Sequence, residues 1–380
     1  MVNLSLLKNT KQVPWKGFPL YAALQEVPKN LFLTTLPKEV VFFTIHPDDK
    51  NKIDIQYNLT NPFKKPEEQF LELQSLRSKK DFSSFQNIFN TDNQLYALLS
   101  VKENQHLAHP IAIHLPCSQK YQNLQYGIVV KKNASASVYE SYTGSDEAMD
   151  LHNVSSFISV QENACLNFIS ENSKTSSAMS VRHMHNYLHQ NSQMYLNYYS
   201  VNNTTPVSVN QLSSLYNVHT FLMGKASNFF EQALTLAKNK TNNHHCSNIY
   251  HLKPCGQSSQ LHKALLDDFA KSVFNALVFI GSDCPQVNSH QLNNNLSFSK
   301  KTKVISQPQL QVKTDDVKAA HGSTTGQVQA EELYYLQSRG ISLLKAKQLL
   351  KQAFIKETYS NITNPVIKKT ISSILKKYDE

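Results

Sequence analysis

At 380 residues with 40% hydrophobic content, the chain can bury a sizeable core, and its most apolar stretch, Ala276–Ile280, is far too short to span a bilayer. The 38 basic and 28 acidic residues leave a net charge of +10, but only Arg77, Arg182 and Arg339 are arginines. Arginine is the side chain that forks onto guanine and phosphate, so a lysine-dominated surplus speaks against sequence-reading nucleic-acid recognition, and scattered pairs such as Lys131-Lys132 and Lys300-Lys301 read as solvated surface.

The first ~115 residues mix helical and extended signals and are broken by prolines at 14, 19, 28, 37, 47, 62, 66, 110 and 116. The best helix there is Pro66–Arg77, with proline in the first turn, acids at the positive end, and Phe70, Leu71, Leu73 and Leu76 sharing much of one face. Residues 1–124 are expected to form a small α/β cap.

From about residue 125 the chain becomes a series of short runs rich in Val, Ile, Tyr, Phe, Ser and Asn, which reads as all-β. A weak repeat starts at Lys132, Glu162, Gln190 and Gly224, offsets of 30, 28 and 34 residues. In each copy a turn residue precedes a small one, and apolar and polar positions tend to alternate afterwards. A strand–turn unit that cannot cover its own apolar face must stack on its neighbours, which favours a β-solenoid over a β-sandwich. With nine glycines in the whole chain, asparagine and serine must supply most turns. Strand texture returns at Leu296–Val312.

After His321 the pattern turns helical. Leu333, Tyr334 and Leu336 gather on one side of a helix stopped by Gly340, Ser342 caps a second helix over Leu343–Phe354, and Asn364-Pro365 opens a third. The predicted units are therefore 1–124, a β core over 125–322, and a helical domain over 323–380.

Five cysteines, Cys117, Cys165, Cys246, Cys255 and Cys284, with no CxxC pair suit a reducing cytosol. Neither GxGxxG nor GxxxxGK[ST] is present, so nucleotide hydrolysis by this chain is not expected, and GxSxG and HExxH are absent too. The densest set of soft ligands is His244-His245-Cys246 with His251, Cys255 and His262. Its spacing fits no structural zinc template and reads first as a surface turn, with a zinc protein as the sharper alternative. Asp146, Glu147 and Asp150 read as solvated loop carboxylates. His321-Gly322 lies where a rigid β scaffold gives way to helices, so its imidazole is either a hydrogen-bonded turn residue or an exposed ligand.

This last stretch resembles the SufD branch of the SufB/SufD family of iron–sulfur cluster assembly scaffolds. Asp315-Asp-Val-Lys-Ala-Ala-His-Gly-Ser-Thr324 is similar to that branch's Asp-Asp-Val-Lys-Cys-Ser-His-Gly-Ala-Thr, and is followed by Gly326-Gln327, Glu331-Glu-Leu-Tyr-Tyr-Leu336 and Ser338-Arg-Gly-Ile341. Upstream landmarks include Ser259–Lys263, Gln291–Leu296 and Gln307–Leu310. The likeness is dense from about 240 to 355 and thin before 125.

The resemblance implies a right-handed parallel β-helix between an N-terminal α/β region and a C-terminal three-helix domain, and a non-catalytic scaffold rather than an enzyme. It implies pairing with a SufB-like subunit, binding of a SufC-like ATPase through the helices, with Arg339, Gly340 and Ile341 in that contact, and no nucleic-acid or membrane partner. No intrinsic cofactor is implied. Iron or a transient iron–sulfur cluster would meet His321 at the SufB interface, although the family cysteine two positions earlier is Ala319 here. A homodimer of the isolated chain stays open. The rival reading from another class is a β-helical carbohydrate-active lyase or esterase, which needs an array of carboxylates along one face.

Overall fold

The computed structural model describes residues 42–60, 94–116, 121–143, 151–174, 179–202, 213–360 and 372. Among them run β1 (Phe42–Thr44), β2 (Ile53–Thr60), β3 (Gln94–Val101), β4 (Ile111–Pro116), β5 (Tyr121–Val130), β6 (Ser135–Thr143), β7 (Leu151–Val160), β8 (Cys165–Lys174) and β9 (Met179–Leu188). They continue with β10 (Gln193–Asn202), β11 (Ser213–Leu222), β12 (Asn228–Ala237), β13 (Asn242–His251), β14 (Gln257–Leu266), β15 (Lys271–Ile280), β16 (Val287–Ser297), β17 (Lys303–Val312) and β18 (Val317–Gln327). Helices α1 (Ala330–Ser338) and α2 (Leu343–Ser360) follow. The expected helix at Pro66–Arg77, the acidic loop at 146–150 and the start of a third terminal helix at Asn364 lie outside the described residues.

Alternate strands belong to alternate sheets. One sheet has the order β1-β4-β6-β8-β10-β12-β14-β16-β18, the other β17-β15-β13-β11-β9-β7-β5-β3-β2. From β3 and β4 onward every pairing is parallel and in register, so the chain coils as a parallel β-helix, the expected fold. At the N-terminal end β1 and β2 pair antiparallel with β4 and β3. No described helix is long and apolar enough to cross a membrane.

The corners explain how a glycine-poor chain makes this fold. Asn104, Asn133, Asn163 and Asn191 all adopt the left-handed conformation, φ 53 to 57°. Asparagine enters that region readily, and here its amides also stack into a ladder. From Asn133 onward each amide donates to the side-chain oxygen of the asparagine one turn earlier, at 2.8, 3.0 and 3.2 Å.

The fourth copy of the repeat departs from the sequence alignment. Strand pairing sets Gln193 opposite Asn228, an offset of 35 rather than 34, and the left-handed corner falls on Ala226. One extra residue is absorbed at Gly224, which lies so close to the preceding turn that a Cβ would sit 2.0 Å from the Gln190 nitrogen.

The interior is filled by the inward residues of both sheets. Ile113, Val138, Phe168, Leu196, Ile128, Ile158 and Met184 belong to one continuous apolar cluster. Helix α2 packs on the outside of the first sheet: Ile355 and Phe354 join Tyr199, Leu234 and Leu265, Ala346 is buried, and Tyr199 Oη donates to the Thr358 carbonyl at 3.0 Å. Lys263 and Lys351 reach from each side to Glu357 and Asp267 across this contact.

Candidate functional site

The open end of the solenoid is formed by β17 and β18, the last strands of the two sheets. Neither has a further partner on its outer edge among the described residues, which leaves a row of backbone donors and acceptors available for pairing. Pro308 sits in β17, a position proline tolerates on an edge strand.

Register decides which side chains of β18 face inward. β16 alternates strictly, with Ser289, Gln291, Asn293 and Asn295 buried and His290 and Leu292 exposed. In-register pairing sets Ala319, His321, Ser323 and Thr325 beside those four buried residues, so His321 shares the interior column of Gln291 and is exposed because no further turn covers it among the described residues. Ala319 is its neighbour on the same face.

Gly322 points the other way. Leu292 lies across it, and a Cβ there would come within 3.3 Å of Leu292 Cδ1. Ser323 Oγ lies 2.8 Å from Ser306 Oγ of β17, tying the two terminal strands together. The strand runs on through Gln327, past the expected boundary of the β core at 322, and helix begins at Ala330.

The second expected site, Arg339-Gly340-Ile341, forms the α1–α2 turn. Gly340 has φ +81°, its N–H donates to the Gln337 carbonyl, and that of Ile341 donates to Leu336, the pairing of a Schellman stop. Arg339 lies over the Tyr335 ring at 5.4 Å. The apolar side chains of the two helices divide: Ala346 and Ile355 are buried, whereas Tyr334 (73% exposed), Tyr335, Leu343 and Leu344 (70%) face outward.

The histidine–cysteine cluster is corrected by the structure. His244, His245, Cys246 and His251 are in β13 and His262 is in β14, so a buried strand replaces the expected surface turn; only Cys255 is at a corner, with φ 63°. Strand alternation sends Cys246 to the face opposite His245 and His251, which separates the ligands a zinc site would need to converge. Burial pushes the Cys246 thiol up to about 12, so it is not a thiolate at neutral pH.

What the sequence reading missed lies inside. Glu140 and Arg182 form a fully buried ion pair, with Arg182 Nε and Nη2 donating to the two carboxylate oxygens at 3.0 and 2.8 Å. Further along, His245 Nε2 is 3.0 Å from Glu231 Oε1. Both carboxylates are enclosed and partnered, and they do not make the open carboxylate array that a carbohydrate-active β-helix requires. His46, Asp48 and His109 form the one three-ligand group among the described residues. The two imidazoles stack at 3.6 Å with 17° between their planes, so their in-plane lone pairs do not meet at a common point.

Residues 78–354 match the family described as SUF system FeS cluster assembly, SufBD core domain. The chain belongs to this family. Among curated SufBD relatives it is 39% identical over 109 residues to the iron–sulfur cluster assembly SufBD family protein slr0076 of Synechocystis, covering 29% of this chain and 24% of that protein. It is 34% identical over 123 residues to the iron–sulfur cluster assembly protein SufD of Escherichia coli, covering 32% and 29%, and 29% identical over 129 residues to SufD of Bacillus subtilis, covering 34% and 30%. These alignments span a quarter to a third of each SufBD relative. The SufBD family is one of assembly scaffolds rather than a known catalytic family.

Proposed function

We propose that this chain is a SufD-type scaffold subunit that pairs through β17 and β18 with a SufB-like subunit and presents His321 to iron or a nascent cluster at the shared interface. The observation that carries this reading is an inward-column imidazole exposed on a terminal strand whose edge is free among the described residues. Edge-to-edge pairing would satisfy the backbone groups of both strands and bring the partner's side chains over the mouth. Neutral imidazole is a good ligand for iron, and with Ala319 in place of the family cysteine the thiolates would come from the partner. The cluster is cargo in this scheme and is not a resident group.

His321→Ala in a complex reconstituted with SufB- and SufC-like partners is expected to lose cluster yield while the complex still assembles. Wild-type yield would remove His321 from the mechanism.

The helices are proposed to hold the SufC-like ATPase. Tyr334, Tyr335 and Leu344 are exposed aromatic and aliphatic anchors beside Arg339, and α2 is bolted to the solenoid by Ile355 and Lys263, so a movement of the ATPase would be transmitted to the β-helix. Tyr334→Asp with Leu344→Asp should weaken ATPase binding by about tenfold or more, on the usual worth of exposed aromatic anchors. Titration calorimetry with unchanged affinity would rule this face out.

A further inference from the structure

One interior column of the solenoid changes chemistry along its length. Val138, Phe168 and Leu196 occupy it in the early turns, followed by Glu231, Gln260, Gln291 and finally His321. The three residues before His321 are each 3% exposed and joined by hydrogen bonds. Glu231 accepts from Ser247 Oγ and, at 3.3 Å, from Gln260 Nε2, which also donates to Ser247 Oγ at 2.6 Å. Gln291 Nε2 then donates to Gln260 Oε1 at 2.7 Å.

The direction of this file is fixed from its buried end. Glu231 only accepts in this arrangement, so Gln260 must turn its NH2 toward it and its oxygen toward the next strand. Gln291 must in turn offer its NH2 to that oxygen. Reversing either amide would set oxygen against oxygen or donor against donor. The file therefore ends in an acceptor: Gln291 Oε1 is buried and has no hydrogen-bond partner among the described residues. The in-register neighbour of Gln291 is His321 on the next strand, the two backbones lying one strand spacing, about 4.8 Å, apart.

We propose that Gln291 is the positioning residue for His321. When the His321 ring turns inward over it, its Oε1 accepts the N–H of one ring nitrogen, which selects a single tautomer and leaves the other nitrogen bare and turned to the open end. Metal-binding histidines are oriented by such an acceptor behind them, and losing it typically costs 10- to 100-fold in affinity or activity. The proposal rests on the reading of His321 as a ligand, and it adds that the buried carboxylate of Glu231 dictates, through two amides, which ring nitrogen is free.

The test uses the full chain labelled with 15N-histidine, without partners or metal. Long-range 1H–15N spectra at neutral pH should show His321 with one protonated and one bare nitrogen. Gln291→Met, similar in size but without the acceptor, should shift both nitrogens toward a tautomer average. Glu231→Gln, which leaves the mouth unaltered, should loosen the same preference from a distance. Identical His321 shifts in the wild type, Gln291→Met and Glu231→Gln would overturn the proposal. That result would leave the ligand reading intact, because only cluster yield in His321→Ala bears on it.

Discussion

Lowering the pH from 7 to 5 is expected to unfold the solenoid, with unfolding free energy falling steeply once pH drops below about 6.5. Burial holds His183 and His251 down to about 3 and His244 to about 4, and it lowers His262 well below its ordinary value, with His245 adding to the effect. For His183 the neighbouring His219 and Arg182 charges reinforce the burial. In the unfolded chain each of these imidazoles takes a proton near pH 6.5, while in the folded chain it stays neutral well below that. The unfolded state thus binds more protons, so stability is full above about 6.5 and is lost as the pH falls toward the folded values. Each histidine contributes about 1.4 kcal/mol per pH unit in that window. Four together approach about 5 kcal/mol per unit as an upper figure, comparable with the whole net stability of a folded protein, about 5–15 kcal/mol. Chemical denaturation at several pH values measures the slope, and His262→Gln should flatten it. A profile level between pH 7 and 5 would refute the account.

Parts of this architecture are legible in the sequence because single residues announce them. Asn133, Asn163 and Asn191 mark successive corners, since few other residues enter the left-handed region cheaply, and their spacing gives the length of a turn. The same corner is made by Ala226, Cys255 and Gln286 later on, where nothing in the residue type signals it, and the repeat becomes hard to follow. The fourth copy was displaced by one position because an insertion buffered by Gly224 leaves no trace in a pattern of short strands.

The polar interior was the least legible part. His244-His245-Cys246 looks like a loop because polar residues usually face water, whereas a solenoid core holds them wherever a neighbouring turn supplies a partner: Glu231 for His245, and Asn293, 2.6 Å away, for His262. His321 stands out by its motif, but its place on the inward face beside Gln291 depends on register with β16, which no local pattern encodes.

Glu140→Leu is expected to destabilise the protein by about 3–5 kcal/mol, the usual cost of leaving one member of a buried ion pair alone. Arg182 is 1% exposed and Glu140 is fully buried, so neither charge can turn to solvent when its partner is removed. The guanidinium also donates to Tyr126 Oη and Ser156 Oγ, both at 2.9 Å, and to the His183 carbonyl at 2.7 Å, while Ser170 Oγ donates to Glu140 at 2.7 Å. These bonds hold both side chains in place and would keep the orphaned guanidinium inside the solenoid rather than let it escape. The double variant Glu140→Leu with Arg182→Met removes both charges and fills similar volume, so it should recover most of the loss; buried pairs replaced together by apolar residues are often neutral. Urea unfolding of the two single variants and the double closes the cycle and isolates the coupling. If Glu140→Leu unfolds like the wild type, or the double variant is as unstable as the two single losses combined, the pair is not the electrostatic unit that its geometry describes.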